Sequence, residues 1–288
     1  IHDGKFHADD VFAAMLIRAI YPGVEVVRSR EDAVLDECDI VIDVGLKYNF
    51  EDLRFDHHQV GKAGHRENGI EYSGFGLIWR HWGMDICKGN QDLYDDIDRK
   101  LVQPVDANDN SQALYGEPNY KGVHNFNLDD IMSSAMNPTL SEAGQEDERF
   151  VEAMDLVEII FARLLKKREE VLTFKDAIIK EYEDLEDKRF IIDEHYRPVL
   201  SFSKFLPDLY FYVYPNQKGD RWMMMTSQPD SDYRNSKYLP KEWAGKSGKE
   251  LEEVSGIKDM DFCHNALFIC GAKSKVAILE ALKVALEY

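Results

Sequence analysis

The sequence predicts an α/β protein with an N-terminal parallel-sheet domain flanked by helices, a long helical connector and a smaller C-terminal α/β domain. Strand-like and helix-like segments alternate in the first half, a long helical stripe fills the middle, and short aromatic strands follow it. At 288 residues the chain also exceeds the usual size of one compact domain. We therefore place the domains at residues 1–145, 146–188 and 189–288.

The elements of the first half follow from hydrophobic periodicity and from turn residues. A helix is predicted over residues 9–20, where apolar residues recur at helical spacing before Tyr21-Pro22-Gly23. Strands are predicted at residues 24–27 and at 40–44. The second is an apolar run with acidic Asp43 at its carboxyl end. The remaining predictions are a short strand at 53–55 and helices over 73–82 and 91–105. Because ligands gather at the carboxyl ends of parallel strands, the polar residues there should share one rim.

The middle of the chain carries apolar side chains at alternating three- and four-residue steps over residues 147–185. Arg168 and Lys175 interrupt this stripe and sustained heptads are short, which favours a packing or connecting helix pair. A homodimer formed through the stripe is the alternative. The C-terminal domain is predicted to contain strands 190–192, 209–214, 222–226 and 262–270 and a final helix 273–286.

Composition limits the function and the compartment. A formal charge of −19 opposes long-range attraction of nucleic acid, so a nucleic acid would be bound locally through a metal and a basic pocket. The four cysteines form no C-x-x-C pair, which favours free thiols in a reducing compartment. No membrane span or signal-peptide pattern is visible. We expect an intracellular protein, cytoplasmic in a prokaryote, and nuclear or mitochondrial or both in a eukaryote.

Four separate clusters of imidazole and carboxylate groups lie at the edges of hydrophobic segments. They are His2, His7 and Asp9; Asp43; Asp56-His57-His58; and Asp106. Imidazole nitrogen together with carboxylate oxygen suits Mn²⁺, Fe²⁺, Co²⁺ or Zn²⁺, whereas an all-oxygen set would suit Mg²⁺ or Ca²⁺. The clusters therefore predict a shared metal site and a metal-dependent phosphoester hydrolase.

Individual roles follow from residue type and position. His57 would bind metal through one nitrogen while Asp56 accepts the proton of the other, and His58 would bind or protonate a phosphate group. Asp43 would bridge two metals, with a simple strand-terminating acid as the alternative. Asp9 or Asp10 could instead cap the first helix, and both functions are satisfied if Asp10 caps and Asp9 binds metal.

The same residues resemble the signature of the Myg (melanocyte-proliferating-gene) family of DHH-superfamily phosphoesterases. The matching motifs are His2-Asp3-Gly4-x-Phe6-His7-x-Asp9-Asp10, Asp43-Val44-Gly45, Arg54-Phe55-Asp56-His57-His58-Gln59 and Val105-Asp106-Ala107-Asn108-Asp109-Asn110. Further matches, such as Asn137-Pro138 and Leu239-Pro240-x-Glu242-Trp243, extend the resemblance over nearly the whole chain.

The resemblance implies a DHH-type catalytic domain, a pair of divalent metals and 3′-to-5′ exonuclease activity on single-stranded RNA or short oligonucleotides. Mn²⁺ is the expected metal, with Mg²⁺, Co²⁺ or Zn²⁺ as alternatives. The implied metal ligands are His2, His7, Asp9, Asp43, His57 and Asp106, with either His2 or Asp3 completing the first cluster. Asp56 and His58 take catalytic roles, and His264 and Lys273 occupy the place of a substrate-binding turn.

Two other functions compete with an exonuclease. One is hydrolysis of a small phosphate compound such as pyrophosphate or a dinucleotide, which the acidity of the chain favours slightly because a long RNA track should show a basic groove. The other is a non-catalytic interaction protein stabilised by metal. Complete ligand clusters that leave an open metal position would argue against the second alternative.

Overall fold

The computed structural model describes residues 1–114, 116, 120–123, 125–228 and 236–288. They form two compact units, residues 1–169 and 170–288, and each contains helices and a sheet. The α/β class is therefore confirmed. The three-part division of the domains stays a prediction, and its connector of residues 146–188 is shared between the two units.

The first unit contains three short strands and most of the helices. The strands are β1 (Val41–Ile42), β2 (Tyr48–Asn49) and β3 (Arg54–Phe55). The helices are α1 (Ala8–Ile20), α2 (Asp32–Glu37), α3 (Gly74–Ile86), α4 (Gln91–Ile97), α5 (Gln103–Asp109), α6 (Leu128–Ile131) and α7 (Glu146–Leu172), the last of which runs into the second unit.

The sheet of this unit has the order β1-β3-β2, and it is mixed rather than parallel. β1 pairs with β3 in parallel, but β2 and β3 are antiparallel because a tight turn joins them, in which the Leu53 amide donates to the Phe50 carbonyl. The predicted strand at residues 24–27 is wrong. Its Val24 and Val27 are exposed, and among the described residues the segment is joined to Ile1 by two isolated bonds, from the Ile1 amino group to the Val27 carbonyl and from the Ser29 amide to the Ile1 carbonyl, without a strand assignment.

The core beneath the sheet is built by α1 and α3. Phe12 of α1 and Phe75 of α3 stack with ring centroids 4.9 Å apart, and both are fully buried. Trp79 stacks on Tyr94 on one side and meets Phe161 of α7 edge-on. These contacts fix the N-termini of α1 and α3 beside the carboxyl ends of β1 and β3, where the polar clusters lie.

The predicted helix over residues 91–105 is interrupted and longer than expected. α4 passes through a π-helical segment, Asp98–Val102, into α5, which continues to Asp109. Asp106 therefore lies inside a helix instead of at its end. One turn later, Asp109 reaches the region of the polar clusters.

The second unit contains a five-stranded mixed sheet and three helices of its own. Its elements are α8 (Lys175–Glu183), β4 (Phe190–Ile192), β5 (Phe211–Pro215), β6 (Trp222–Thr226), α9 (Gly248–Ser255), β7 (Met260–Cys263), β8 (Ile269–Ala272) and α10 (Lys275–Glu287). The strand order is β4-β5-β6-β8-β7, and only β4 and β5 are parallel. The predicted strand 262–270 is instead a hairpin, because the turn bonds the Leu267 amide to the His264 carbonyl.

The two faces of this sheet are packed differently. One face carries Phe211, Val213 and Met224 and forms the main core with α9 and α10. The other face carries Ile191 and Tyr212, which pack with α8 and a short 3₁₀ helix at Val199–Phe205. This second cluster is smaller and covers only part of its face.

Two further expectations concern cysteines and membranes. All four cysteines are free, as the spacing predicted. Among the residues that the structure describes, we find no helix whose length and apolar content would let it span a bilayer.

Candidate metal centre

Three groups of imidazole and carboxylate side chains meet at the rim formed by β1, β3 and the N-termini of α1 and α3. Their members are His2, Asp10 and Asp43; Asp43, His57 and His58; and His7, Asp9 and Asp109. Within each group the candidate ligand atoms lie within 4.8 Å of one another. Because Asp43 belongs to two groups, one carboxylate connects two potential cation positions.

The first group joins the N-terminal segment to β1. His2 Nε2 lies 2.7 Å from Asp10 Oδ2 and 3.4 Å from Asp43 Oδ2, and both acids and the imidazole are buried. The other ring nitrogen, Nδ1, lies 2.8 Å from the Asp3 carbonyl, which can only accept, so Nδ1 carries a proton. Nε2 of a neutral His2 therefore presents a lone pair toward two carboxylates, an arrangement that a cation would satisfy.

The second group is centred on His57, which follows β3. Its Nε2 lies 3.1 Å from Asp43 Oδ1 and 3.1 Å from Asp109 Oδ2. Its Nδ1 faces Asn110 Oδ1 at 3.2 Å, an oxygen to which Lys62 also donates. Burial opposes protonation of His57, but the carboxylates of Asp109 and Asp43 close to its Nε2 prevail and raise its pKa to about 10.

Asp56 has a different partner from the one predicted. It does not contact the ring of His57; its Oδ1 accepts from Nδ1 and from the backbone amide of His58, at 2.8 and 3.0 Å. Its Oδ2 accepts from the Leu46 amide. The bond to Asp56 raises the pKa of His58, whose side chain is 53% exposed. The structure therefore presents a solvent-facing imidazole, whose protonated form Asp56 favours, beside the buried acids, and Asn110 orients His57 instead.

The third group collects carboxylates from α1 and α5. Asp9 is fully buried, and its pKa is well above the usual value because of burial and the nearby charges of Asp43 and Asp109. Asp9 Oδ2 accepts from the Gly74 amide at the N-terminus of α3. That bond satisfies one oxygen of Asp9. Asp9, Asp43 and Asp109 still lie close together, which leaves an excess of negative charge in this region.

Several buried polar atoms in these groups have no hydrogen-bond partner. They are Asp9 Oδ1, Asp10 Oδ2, Asp43 Oδ1 and His57 Nε2. Such atoms are costly when buried and unpaired, and most proteins avoid them. Since all four belong to the three groups, the donor set fits divalent cations that accept both imidazole nitrogen and carboxylate oxygen.

Backbone geometry at Asp43 supports a role beyond terminating a strand. Asp43 has φ +57°, a left-handed conformation that aspartate and asparagine adopt more readily than other non-glycine residues, and its side chain is buried. Such strain persists at sites where the surrounding structure enforces it. At the start of α1, the N-cap is His7, whose amide donates to Asp10 Oδ1. Asp10 thus caps the helix from its third position, while Oδ2 remains directed at His2.

Asp106 lies outside the three groups. Its oxygens accept from Ser73 Oγ at 2.6 Å, from the Gly76 amide at 2.9 Å and from Arg66 Nη1 at 2.7 Å. Burial raises its pKa to about 6 against the opposing effect of Arg66. Asp106 thus joins α5 to the N-terminus of α3. Asp109 lies three residues later in the same motif and contacts the site. Because the two acids are about one helical turn apart, their helical spacing was a signal in the sequence that Asp109 was an alternative to Asp106.

The two predicted substrate-binding residues lie in the second unit and are not brought together. His264 follows β7 and its amide bonds to the carbonyl of Ile269, at the start of β8. Lys273 follows the other end of β8, about 13 Å away at the usual rise of a strand. His264 Nδ1 accepts from the Ala266 amide, which stabilises its own turn.

A cavity of about 460 Å³ opens beside the first two groups. It is lined by site residues, including His2, Asp43 and His58, and also by Lys5 and Arg30. Neither the basic side chains Lys5 and Arg30 nor the candidate ligands Asp10 and Asp109 were predicted from the sequence. Lys5 lies within the N-terminal motif itself, and this position was the signal in the sequence that could have identified it.

Comparisons with known proteins agree on one family. The family model MYG1_exonuc, described as an uncharacterised protein family (UPF0160), matches residues 1–286. A MYG1 protein of Chlamydia pneumoniae is 31% identical, covering 99% of this chain and 95% of its own. A MYG1 protein of Schizosaccharomyces pombe is 28% identical, covering 100% and 96%. A human MYG1 exonuclease is 28% identical, covering 99% and 84%.

One solved structure also aligns along the chain. It is a pGpG-specific phosphodiesterase, PggH, from Vibrio cholerae, with 13% identity over 98% of this chain and 96% of its own. Its TM-score is 0.28, which is too low to indicate a shared fold.

Proposed function

Because this chain belongs to the MYG1_exonuc family, we propose that it hydrolyses phosphodiester bonds with divalent metal, as a 3′-to-5′ exonuclease on RNA or short oligonucleotides. The observation that carries this proposal is the Asp43 carboxylate, shared between two groups of candidate ligands in which buried polar atoms lack partners. The names of the mammalian relatives as exonucleases support the substrate class.

We assign one cation to His2, Asp10 and Asp43 and a second to Asp43, His57 and Asp109, with His7 and Asp9 completing the surroundings. This assignment keeps five of the ligands expected from the sequence within the centre and gives the position of Asp106 to Asp109. A pair of divalent ions held by these residues would supply an activated water and would stabilise the charge that develops at phosphorus. Mn²⁺ matches the mixed donor set best.

The chain's own residues would position the substrate. His58, held by Asp56 and partly exposed, can donate to a phosphate oxygen or to the leaving oxygen. Lys5 and Arg30 line the same cavity and supply positive charge for the flanking phosphates. Arg30 also lies 3.2 Å from Asp3, which holds its guanidinium near the mouth. A short substrate suits this small basic edge on an acidic protein.

A test of the metal uses chelation. We expect hydrolysis in Mn²⁺ to be lost in EDTA and restored by excess Mn²⁺, since the buried acids cannot position substrate by themselves. The substrates are RNA and DNA labelled at the 3′ end, dinucleotides and pyrophosphate. Early release of labelled mononucleotide would support the 3′-to-5′ direction. Undiminished turnover in EDTA would contradict the metal mechanism, and cleavage of pyrophosphate alone would favour the small-substrate function.

A second test separates His58 from its positioning residue. We expect His58→Gln to lower kcat about 100-fold or more, as loss of a general acid typically does. Asp56→Asn should lower kcat less, because His58 remains but loses the carboxylate that favours its protonated form. His65→Gln is the matched control, since His65 is an exposed histidine of the same unit that belongs to none of the three groups. Equal activity of His58→Gln and the control would rule out this role for His58.

A further inference from the structure

Part of one face of the C-terminal sheet is open, and it lies beside a row of residues that pair with one another across four neighbouring strands. Tyr214 of β5 pairs with Met223 of β6, Met223 with Gly271 of β8, and Gly271 with Phe262 of β7. These residues share one face because side chains alternate along each strand. A cavity of about 390 Å³ lies over the row. Its lining includes Tyr196, Tyr214, Asn216, Gln217, Arg221 and Phe262.

The aromatic rings at this cavity form the end of a stack. Tyr212 and Tyr214 are nearly parallel, with ring centroids 4.7 Å apart and planes 18° apart. Tyr212 is buried, whereas Tyr214 lines the cavity and ends the stack. Tyr196 meets Tyr214 edge-on at 5.2 Å and is 57% exposed. A planar ring placed in the cavity would therefore continue an existing stack and gain an edge contact.

Tyr196 is held in place by a buried network next to it. The Arg197 amide donates to Tyr212 Oη at 2.9 Å, and Tyr212 Oη donates to Asp193 Oδ2 at 2.8 Å. The Arg197 guanidinium also binds Asp193 and Glu181. An exposed tyrosine on such a fixed segment loses little conformational entropy when a ligand binds.

Phe262 lies against the sheet because its neighbour is glycine. A Cβ added to Gly271 would come within 2.7 Å of Phe262 Cε1, so only glycine admits the ring here. Met223 Sδ would lie 3.4 Å from the same added atom. The row therefore offers a flat apolar surface between Tyr214 and Phe262.

Polar groups at the edge of the cavity complement a nucleotide. Arg221 is half exposed, with its Nε 3.0 Å from Asp261, and its remaining guanidinium donors suit a phosphate. The pairing of Trp222 with Ala272 places Lys273 opposite Arg221 at the end of the sheet. The side-chain amide of Gln217 can donate to and accept from the edge of a base, whereas the amide of Asn216 is bound within its own turn to Asp220 and Arg221.

We propose that this cavity binds a nucleobase of a single-stranded oligonucleotide, stacked on Tyr214 beside Tyr196 and Phe262, with Arg221 at its phosphate. The inference rests on the proposed nuclease function for the identity of its ligand. A single strand is required because bases within a duplex are stacked on each other and cannot enter. All residues of this site belong to the second unit, and none of them is a residue of the metal centre.

The experiment measures binding of a fluorescent single-stranded oligonucleotide by anisotropy, using the full chain with Asp43→Asn to prevent cleavage. We expect Tyr196→Ala to weaken binding by up to about tenfold, because the base loses its edge-on aromatic contact while the ring of Tyr214 remains. Tyr196→Phe should bind as the parent does, because it keeps the ring. Tyr238→Ala is the matched control, an exposed tyrosine of the same unit outside the cavity. An oligonucleotide with abasic positions should bind weakly and equally to all variants.

The outcomes separate this inference from the proposed function. Equal binding by Tyr196→Ala and the parent, or no binding of a single strand by the parent, overturns the stacking site even where Mn²⁺-dependent hydrolysis is seen. Binding that depends on Tyr196 without any hydrolysis by the unmodified chain supports the stacking site and overturns the nuclease. Tight binding of a proline-rich peptide that an oligonucleotide does not displace assigns the cavity to a protein partner and overturns the proposal.

Discussion

Replacing Asp43 with asparagine is expected to lower Mn²⁺-dependent hydrolysis about 1,000-fold or more, because both proposed cation positions lose their common ligand. Asparagine is the appropriate substitution since it tolerates the left-handed backbone at this position, φ +57°, where alanine would be strained. It also preserves the volume of the buried side chain.

The measurement combines steady-state hydrolysis with thermal unfolding in EDTA. Without metal, Asp43→Asn should change the unfolding temperature little, because the lost charge relieves its repulsion of Asp9 but also removes a carboxylate partner of His57. Asp39→Asn serves as the control, since Asp39 is exposed just before the other end of β1. Activity within tenfold of the parent would contradict the shared-ligand role. A large loss of metal-free stability would show that Asp43 holds the fold instead.

Gly76→Ala is expected to have the largest effect on stability. An added Cβ would lie 2.0 Å from Asp106 Oδ2, and Asp106 is buried and bound by Ser73, Arg66 and the Gly76 amide. The carboxylate must move away from at least one of these partners. Overpacking together with an unpaired buried charge should reduce the free energy of unfolding by about 2–4 kcal/mol.

Urea unfolding of Gly76→Ala and of a control variant measures this loss. Gly116→Ala is the control, because a Cβ at Gly116 meets no atom of the described residues within 4 Å. A midpoint for Gly76→Ala equal to that of the control would mean that Asp106 moves without cost, and that α5 is not held to α3 by this carboxylate. A loss of stability with retained Mn²⁺ binding would show that Asp106 supports the centre without serving as a ligand.

Elements that depend on local patterning were largely predictable. Residues 190–192 and 222–226 form strands at the predicted positions, and α1 begins one residue before its expected start. Hydrophobic alternation and helical spacing are properties of neighbouring residues, so the chain itself contains that information. The same is true of the clustering of histidines and acids at the ends of apolar segments.

Strand direction and the partners of each site residue were decided only by tertiary structure. Whether Asp106 or Asp109 reaches the centre depends on the helical phase of α5 after the π-helical segment, and the motif contains both acids. Asp56 pairs with His58 because β3 and the segment after it set the direction of each ring. Composition and periodicity determined the class of the protein and the chemistry of its polar residues. Packing over separations of about a hundred residues determined which of their atoms meet, because contacts between distant segments leave no periodic trace in the chain.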